Sequence, residues 1–199
     1  MMWWREVLSA GAMVLTFAAF LPYIRSIHDG RTRPHVFSWL LWGSTTFVVF
    51  LAQLVDGGGA GAWPIGLAGI VTLYVAALAY SHRHSVTITR SDWFFLISGL
   101  SALPAWALTA DPLWAVVILT TIDVIGFLPT FRKSIHDPFA ENMGFYAFTT
   151  ARNVLAMAAL EHFSATTLLF PAVTGFLCLI FIAVTLVQRG RHRRHGLLP

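Results

Sequence analysis

DVIGFLPTFRKSIHD, residues 123–137, has a second copy earlier in the chain, FLPYIRSIHD at residues 20–29. Both copies contain Phe-Leu-Pro, then an arginine three residues after the proline, and then Ser-Ile-His-Asp. Pro22 and Pro129 are 107 positions apart, as are Arg25 and Arg132, and the two Ser-Ile-His-Asp strings are 108 apart. This conserved order of residues predicts a chain made of two copies of one unit.

The composition is typical of a membrane protein. Hydrophobic residues make up 57% of the 199 residues, the mean hydropathy is +0.70, and only 11% of the residues are charged. A soluble domain of this size could not bury so much apolar surface, so the lipid bilayer is the expected partner. The net charge is +4, but the arginines form short clusters between apolar runs, which favours a topology signal over nucleic-acid binding.

Seven apolar runs are long enough to cross a bilayer, which takes roughly 17 to 25 residues. These predicted spans 1 to 7 are 6–27, 34–55, 60–81, 92–110, 112–131, 142–161 and 165–188. The first is longer than the apolar core of roughly 7–15 residues in a signal peptide, and it carries half of the repeat, so we expect a retained helix. The predicted fold class is an all-α membrane protein with seven transmembrane helices.

Lysine and arginine alternate between the connectors. They follow spans 1, 3, 5 and 7 and are absent from the connectors after spans 2, 4 and 6. Because cytoplasmic loops are enriched in these residues, the pattern predicts a multi-pass protein of the inner or plasma membrane with its N-terminus outside and its C-terminus in the cytoplasm. Arg5 is the one exception.

The repeat and the topology together predict the arrangement of the helices. Residues 1–83 form the first three-helix unit, 84–111 a linker helix, and 112–199 the second unit with a basic cytoplasmic tail. Both Phe-Leu-Pro copies end spans that run from outside to inside, so the two bundles are parallel, in a 3+1+3 order.

Prolines mark the expected hinges. Pro64 and Pro171 are also 107 apart, which extends the repeat to the third helix of each unit. A proline inside a membrane helix removes a backbone hydrogen bond, so these two, with Pro22 and Pro129, are predicted hinges between units that rock against each other.

Two three-helix bundles joined by one helix resemble the plan of the SWEET sugar transporters and the wider PQ-loop families. The resemblance covers nearly the whole chain and implies alternating access to a central site. Pro22 and Pro129 match the prolines of the PQ motif, while Tyr23 and Thr130 replace its glutamines. SWEET transporters place an asparagine in helices 3 and 7, and spans 3 and 7 have none, so the resemblance does not extend to sugar.

Charged residues near the middle of two spans are the candidate binding residues. Asp123 lies in span 5, and Arg152 lies in span 6 beside Asn153. A charge at the bilayer centre costs about 2.5–3.5 kcal/mol, so it normally faces the bundle interior and finds a partner. We expect an Asp123–Arg152 pair that lines a cavity as a substrate anchor or proton-coupling group. The alternative is a purely structural pair.

The repeat places hydroxyl groups opposite these charges. Asp123 corresponds to Thr16, and Arg152 and Asn153 correspond to Ser44 and Thr45. A cavity with ionic groups on one wall and hydroxyls on the other suits a small polar solute. Tryptophans within the helices would stack on it, unless they serve only packing; these are Trp39, Trp42 and Trp106.

The two Ser-Ile-His-Asp strings are expected at the cytoplasmic rim. There, a gate is predicted from Arg25, Arg132, His28 and His136. No metal site is predicted, because helix capping and gating explain these residues better than metal ligation.

A transporter of a small polar solute is the predicted function, and an enzyme is not expected. Asp123 has no second carboxylate or metal-binding histidine at its depth, and no catalytic residue or cofactor is predicted. The alternative is a non-transporting receptor or accessory protein on the same scaffold. Whether the chain forms a homo-oligomer is left open.

Overall fold

The computed structural model describes residues 3–30, 36–81, 90–139 and 141–194. Over these residues the chain is helical and contains no strand, which confirms the all-α class. A short 3-10 helix, Gly59–Ala62, precedes the third α-helix. The α-helices are α1 Trp3–His28, α2 Val36–Val55, α3 Trp63–Ser81, α4 Arg90–Leu100, α5 Ala102–Thr109, α6 Pro112–His136, α7 Met143–Ala158 and α8 Ala165–Arg194.

Five of the described helices are long and apolar enough to cross a membrane. They match predicted spans 1, 2, 3, 5 and 7, and the third includes the 3-10 helix. Apolar side chains also cover much of their outer surface; Val55, for example, is 68% exposed and Phe176 is 63% exposed. Helices that are apolar on their outer faces as well as their inner ones are typical of membrane spans.

Span 4 is interrupted, and span 6 is shorter than predicted. Span 4 forms two short helices separated at Ser101, because Pro104 lacks the N–H that would bond to the carbonyl one turn earlier. Span 6 forms α7, which has only 16 residues. It ends early because the chain turns so that the Glu161 N–H donates to the Gly58 carbonyl at 3.2 Å.

The third long helix of each half packs between the other two. In the first half α3 packs against α1 and α2, and in the second half α8 packs against α6 and α7. Between the halves α1 packs against α7 and α2 against α6, and α4 and α5 lie against α6. The six helices therefore form a closed ring in the order α1, α3, α2, α6, α8, α7.

Glycine permits a close backbone contact between the halves. Gly61, in the 3-10 helix, faces the end of α7, where an added Cβ would lie 2.6 Å from both the Ala156 carbonyl oxygen and the Leu160 backbone nitrogen. These are backbone atoms, so a side chain at residue 61 can fit only if the two segments move apart.

Substitution of Gly61 by alanine should therefore destabilise the protein. We expect Gly61→Ala to lower the free energy of unfolding by about 1–3 kcal/mol, the usual cost of overpacking. Thermal unfolding in detergent micelles would show this as a fall in Tm. Gly190→Ala is the matched control, because an added Cβ there meets nothing within 4 Å. Equal melting temperatures for the two variants would contradict the close contact.

Candidate functional site

Asp123 has a carboxylate oxygen enclosed inside the helix bundle without a partner. Its Oδ1 atom is inaccessible and accepts no hydrogen bond from any described residue. The same holds for the Thr120 hydroxyl, one turn earlier on α6. By contrast, the buried hydroxyls of Thr16 and Thr72 each donate to the carbonyl four residues back in their own helix.

Arg152 and Asn153 begin a buried polar chain from α7 to α8. The Arg152 guanidinium donates from Nε and Nη2 to Asn153 Oδ1, at 3.2 and 2.9 Å. Asn153 Nδ2 then donates to Thr174 Oγ1 at 2.9 Å, and that hydroxyl donates to the Phe170 carbonyl at 2.7 Å. Arg152 is 6% exposed and Asn153 is fully buried, so the chain lies inside the bundle.

Asp123 lies at the same height as this polar chain. Helices α6 and α8 run in parallel, because Ser134 contacts Thr185 at 2.6 Å and the Phe127 and Phe181 rings are 5.7 Å apart. These offsets of 51 and 54 residues place Asp123 level with residues 174–177 of α8, where the polar chain ends. We call Asp123, Thr120, Arg152, Asn153 and Thr174 the polar layer.

The expected ion pair between Asp123 and Arg152 is not formed. Among the described residues no contact within 4.0 Å joins the two charges, and the guanidinium binds Asn153 instead. The physical reason is the position of α8, which packs between α6 and α7 and separates these consecutive helices. The polar layer therefore carries its positive and negative groups on different helices without direct neutralisation.

The predicted hydroxyl wall on α2 is only partly present. Ser44 is exposed, on the same face of α2 as Leu40, Leu51 and Val55, so its prediction as an inward-facing residue is wrong. Thr45 is buried, but its hydroxyl donates to the Trp42 carbonyl at 3.0 Å. Trp42 does approach α6, since its Nε1 atom lies 3.3 Å from where a Cβ on Gly126 would be.

Aromatic rings connect the helices at the end where the Phe-Leu-Pro segments lie. The contacts repeat between the halves: Phe20 packs edge-on against Trp39 at 6.3 Å, and Phe127 packs edge-on against Tyr146 at 6.0 Å. Each partner of the second pair lies 107 residues after its equivalent in the first. This aromatic layer was missed from the sequence, although the repeat offset relates its members. Its further members are Tyr23, Phe131, Phe145 and Phe181.

Trp39 and Trp106, two of the candidate stacking residues, serve packing in the structure. Trp39 stacks on Tyr23 at 4.8 Å within the aromatic layer. Trp106, in α5, packs against the hydrophobic core that contains Val49 and Leu119. Among the described residues, the contacts of these two rings are with other aromatic and apolar side chains.

The prolines occupy different positions in their helices. Pro22 and Pro171 lie inside α1 and α8, and Pro129 lies within the bounds of α6. Pro64 is the second residue of α3, so the kink expected inside that helix is absent. In the first turn a proline removes no helical hydrogen bond.

The residues of the predicted cytoplasmic gate are exposed where the structure describes their side chains. Arg25, His28 and Arg132 are exposed, and the side chain of His136 lies outside the described part of the chain. Within the described residues, no group of three His, Cys, Asp or Glu side chains is arranged to hold a metal ion.

A polar network joins the halves at the end opposite the aromatic layer. The fully buried Gln53 donates from Nε2 to the Thr167 carbonyl at 2.7 Å, and Glu161 Oε1 accepts the Ala60 N–H at 3.2 Å. Ser164 and Asp56 are hydrogen-bonded to each other. We call these contacts the polar latch. None of them was predicted from the sequence.

The polar latch is reciprocal. Gln53 and Glu161 are 108 positions apart, so they occupy equivalent places in the repeat. Each side chain reaches the backbone of the residue that lies four positions before a proline of the other half, Thr167 before Pro171 and Ala60 before Pro64. Equivalent residues thus bind the backbone at equivalent positions, Gln53 at a carbonyl and Glu161 at an N–H.

Comparison with known proteins gives no relative for this chain. No protein-family model, curated protein or solved structure matches it.

Proposed function

We propose that the chain is an integral membrane protein of two three-helix units and a linker, and that it moves a small polar solute by alternating access. The observation that carries this proposal is the polar layer. Its unpaired Asp123 oxygen and its buried Arg152 lie at one height within otherwise apolar helices. Ionisable groups in such places are costly and commonly mark the path of a solute or ion.

The order of the helices supports two equivalent units. Each unit has its third helix between the first and second, and the contacts of α1 with α7 and of α2 with α6 are equivalent under the repeat. The reciprocal polar latch and the two equivalent aromatic pairs agree with this relation. Repeated units of this kind suit alternating access, in which one unit rocks against the other around a shared site.

The two ends of the molecule offer separate gates. At one end the aromatic layer joins the units, and at the other the polar latch does so. Alternating access requires one set of contacts to break while the other persists. Pro22 and Pro171, the described prolines inside long helices, are the hinge residues of the proposal, with Pro129 as the repeat equivalent of Pro22.

The proposed relation to SWEET and PQ-loop transporters concerns architecture. It is supported by Pro22 and Pro129, which match the motif prolines. An arginine and a carboxylate at one height favour a charged or zwitterionic solute over a sugar. In the proposed orientation, the aromatic layer and the basic tail face the cytoplasm.

Binding and flux measurements distinguish a transporter from a receptor. A thermal-shift screen of the purified protein against anionic, cationic, zwitterionic and neutral metabolites is expected to identify zwitterions as the stabilising class. Proteoliposomes should then accumulate the stabilising solute against an empty-vesicle control. Tight binding without any flux would favour the non-transporting receptor, and stabilisation by sugars alone would contradict the assigned solute class.

A further inference from the structure

An open cavity of about 400 Å³ lies where the start of α1 meets the 3-10 helix and the loop after α7. Glu6, Ser9 and Met13 line it from α1, because residues three and four positions apart share a helix face. Trp63 and Glu161 line it from the other side. None of these residues belongs to the polar layer, although Glu161 is also a member of the polar latch.

Two carboxylates give the cavity a negative charge. Glu6 forms no ion pair among the described residues, and the neighbouring Arg5 lies over the Trp4 ring, 5.2 Å from its centroid. Glu161 is held in place by the Ala60 N–H, which bonds to Oε1 and leaves Oε2 free for another partner. A Cβ on Gly59 would lie 2.2 Å from the Glu161 carboxyl carbon, so glycine at residue 59 makes room for this carboxylate.

Ser9 supplies an unused hydrogen-bonding group. It is only 3% exposed, it lines the cavity, and its hydroxyl has no hydrogen-bond partner in the described part of the chain. Thr16, two turns further along α1, instead satisfies its hydroxyl on the Ala12 carbonyl. The Ser9 hydroxyl faces the open cavity, so it is available to donate to or accept from a bound molecule.

Trp63 and Met13 supply the apolar wall. The Trp63 side chain is 55% exposed and packs on one side against Phe50 at 5.5 Å, which leaves part of the indole accessible. An indole face attracts a cation, and quaternary ammonium groups are commonly recognised this way. The lining thus combines negative charge, an aromatic surface and a single hydroxyl.

We propose that this cavity binds a small organic ammonium ion that carries a hydroxyl group. The ammonium group lies between the Glu6 and Glu161 carboxylates and against Trp63, and the ligand hydroxyl bonds to Ser9. The proposal does not depend on transport through the polar layer.

Choline is the probe for the first experiment. Isothermal titration of the full-length protein in detergent micelles should detect choline binding and at least about tenfold weaker binding of 3,3-dimethylbutan-1-ol, which has nearly the same shape without the charge. Tetramethylammonium should also bind. Equal affinity for choline and the neutral alcohol, or no binding of either cation, would overturn the proposal.

Variants of the lining residues test the role of each residue in the proposed ammonium site. Glu6→Gln and Glu161→Gln should each weaken choline binding about tenfold, and the glutamine at residue 161 can still accept the Ala60 N–H, so folding should persist. Ser9→Ala should weaken choline binding but leave tetramethylammonium binding unchanged.

Asp111→Asn is the control for overall charge and should bind choline normally. Asp123→Asn should also bind it normally, which separates this cavity from the transport proposal. Normal choline binding by the doubly substituted Glu6→Gln, Glu161→Gln protein would rule the site out.

Discussion

Replacement of Asp123 by asparagine is expected to reduce solute flux strongly and, at the same time, to leave the protein as stable as before or more stable. The carboxylate oxygen Oδ1 is enclosed and has no partner among the described residues. Its desolvation therefore destabilises the folded protein, and no hydrogen bond compensates for this cost. Asparagine keeps the shape and removes the charge. A lost hydrogen bond to a charged group is worth about 1.5–3 kcal/mol, which predicts a fall in flux of about 10- to 100-fold.

Opposite changes in flux and stability separate a functional from a structural role. If Asp123 served only to hold the bundle together, Asp123→Asn would lower the melting temperature. Flux of the solute found by screening and thermal unfolding in the same detergent are the two measurements. Asp111→Asn is the control, because Asp111 is exposed and its Oδ1 only accepts the Leu113 N–H at the start of α6. A destabilised Asp123→Asn protein with normal flux would contradict the proposed site.

Thr120 and Thr121 provide a matched pair of substitutions that test whether the polar layer is the solute site. The Thr120 hydroxyl is buried without a described partner, whereas the exposed Thr121 donates to the Val117 carbonyl at 2.8 Å. Thr120→Val should therefore reduce flux without loss of stability, and Thr121→Val should leave flux unchanged. Equal effects of the two substitutions on flux would remove Thr120 from the polar layer.

The all-α class and five of the seven spans were predictable from the apolar runs, and the repeat related equivalent residues of the two halves. Phe20 and Phe127, the first residues of the two Phe-Leu-Pro copies, make equivalent ring contacts, and the 107-residue offset that relates them also relates Trp39 to Tyr146. The helical segments could be predicted from the lengths of the apolar runs alone. The interruption of span 4 at Ser101 was predictable from Pro104, whose missing N–H breaks the ladder of hydrogen bonds.

The site was less predictable because it depends on which helices are neighbours. Asp123 and Arg152 lie on consecutive helices, and consecutive helices commonly pack together. Here α8 lies between them, and no local pattern in α6 or α7 encodes that. The exposed position of Ser44 has a similar origin, since the face that α2 turns inward is set by its packing against α3 and α6.

The contact of Gln53 with Thr167 joins residues far apart in the chain, so no local pattern predicts it. Pro171 nevertheless indicates that the Thr167 carbonyl needs a partner. Pro171 has no N–H, so the carbonyl of Thr167, four residues earlier, loses its usual helical partner. A buried carbonyl without a partner requires a donor from elsewhere. Gln53 Nε2 supplies this donor from the other half of the molecule, 2.7 Å from the oxygen.

Gln53→Leu should therefore destabilise the protein. Leucine fills a similar volume but leaves the Thr167 oxygen buried and unpaired, which costs about 1–3 kcal/mol in the free energy of unfolding. Denaturant unfolding in mixed micelles would measure the loss. Gln188→Leu, at the only other glutamine, is the control, because no recorded contact of its side chain joins the halves.

Pro171→Ala should rescue the Gln53→Leu protein. Alanine at residue 171 restores an N–H that can bond to the Thr167 carbonyl within α8, so the oxygen no longer needs Gln53. In a double-mutant cycle the two sites should interact by about 1–2 kcal/mol, because they share one partner. Additive effects of the two substitutions would show that Gln53 does not compensate for the proline.

The rescued protein also tests the role of Pro171 in movement. The double variant Gln53→Leu, Pro171→Ala should be as stable as the parent, but α8 would contain a continuous ladder of hydrogen bonds and would bend less easily. If Pro171 is a hinge, solute flux through this protein should stay low although its stability is restored. Recovery of both flux and stability would assign the proline and the glutamine to packing alone, and the two halves would then need a hinge elsewhere, with Pro22 as the next residue to substitute.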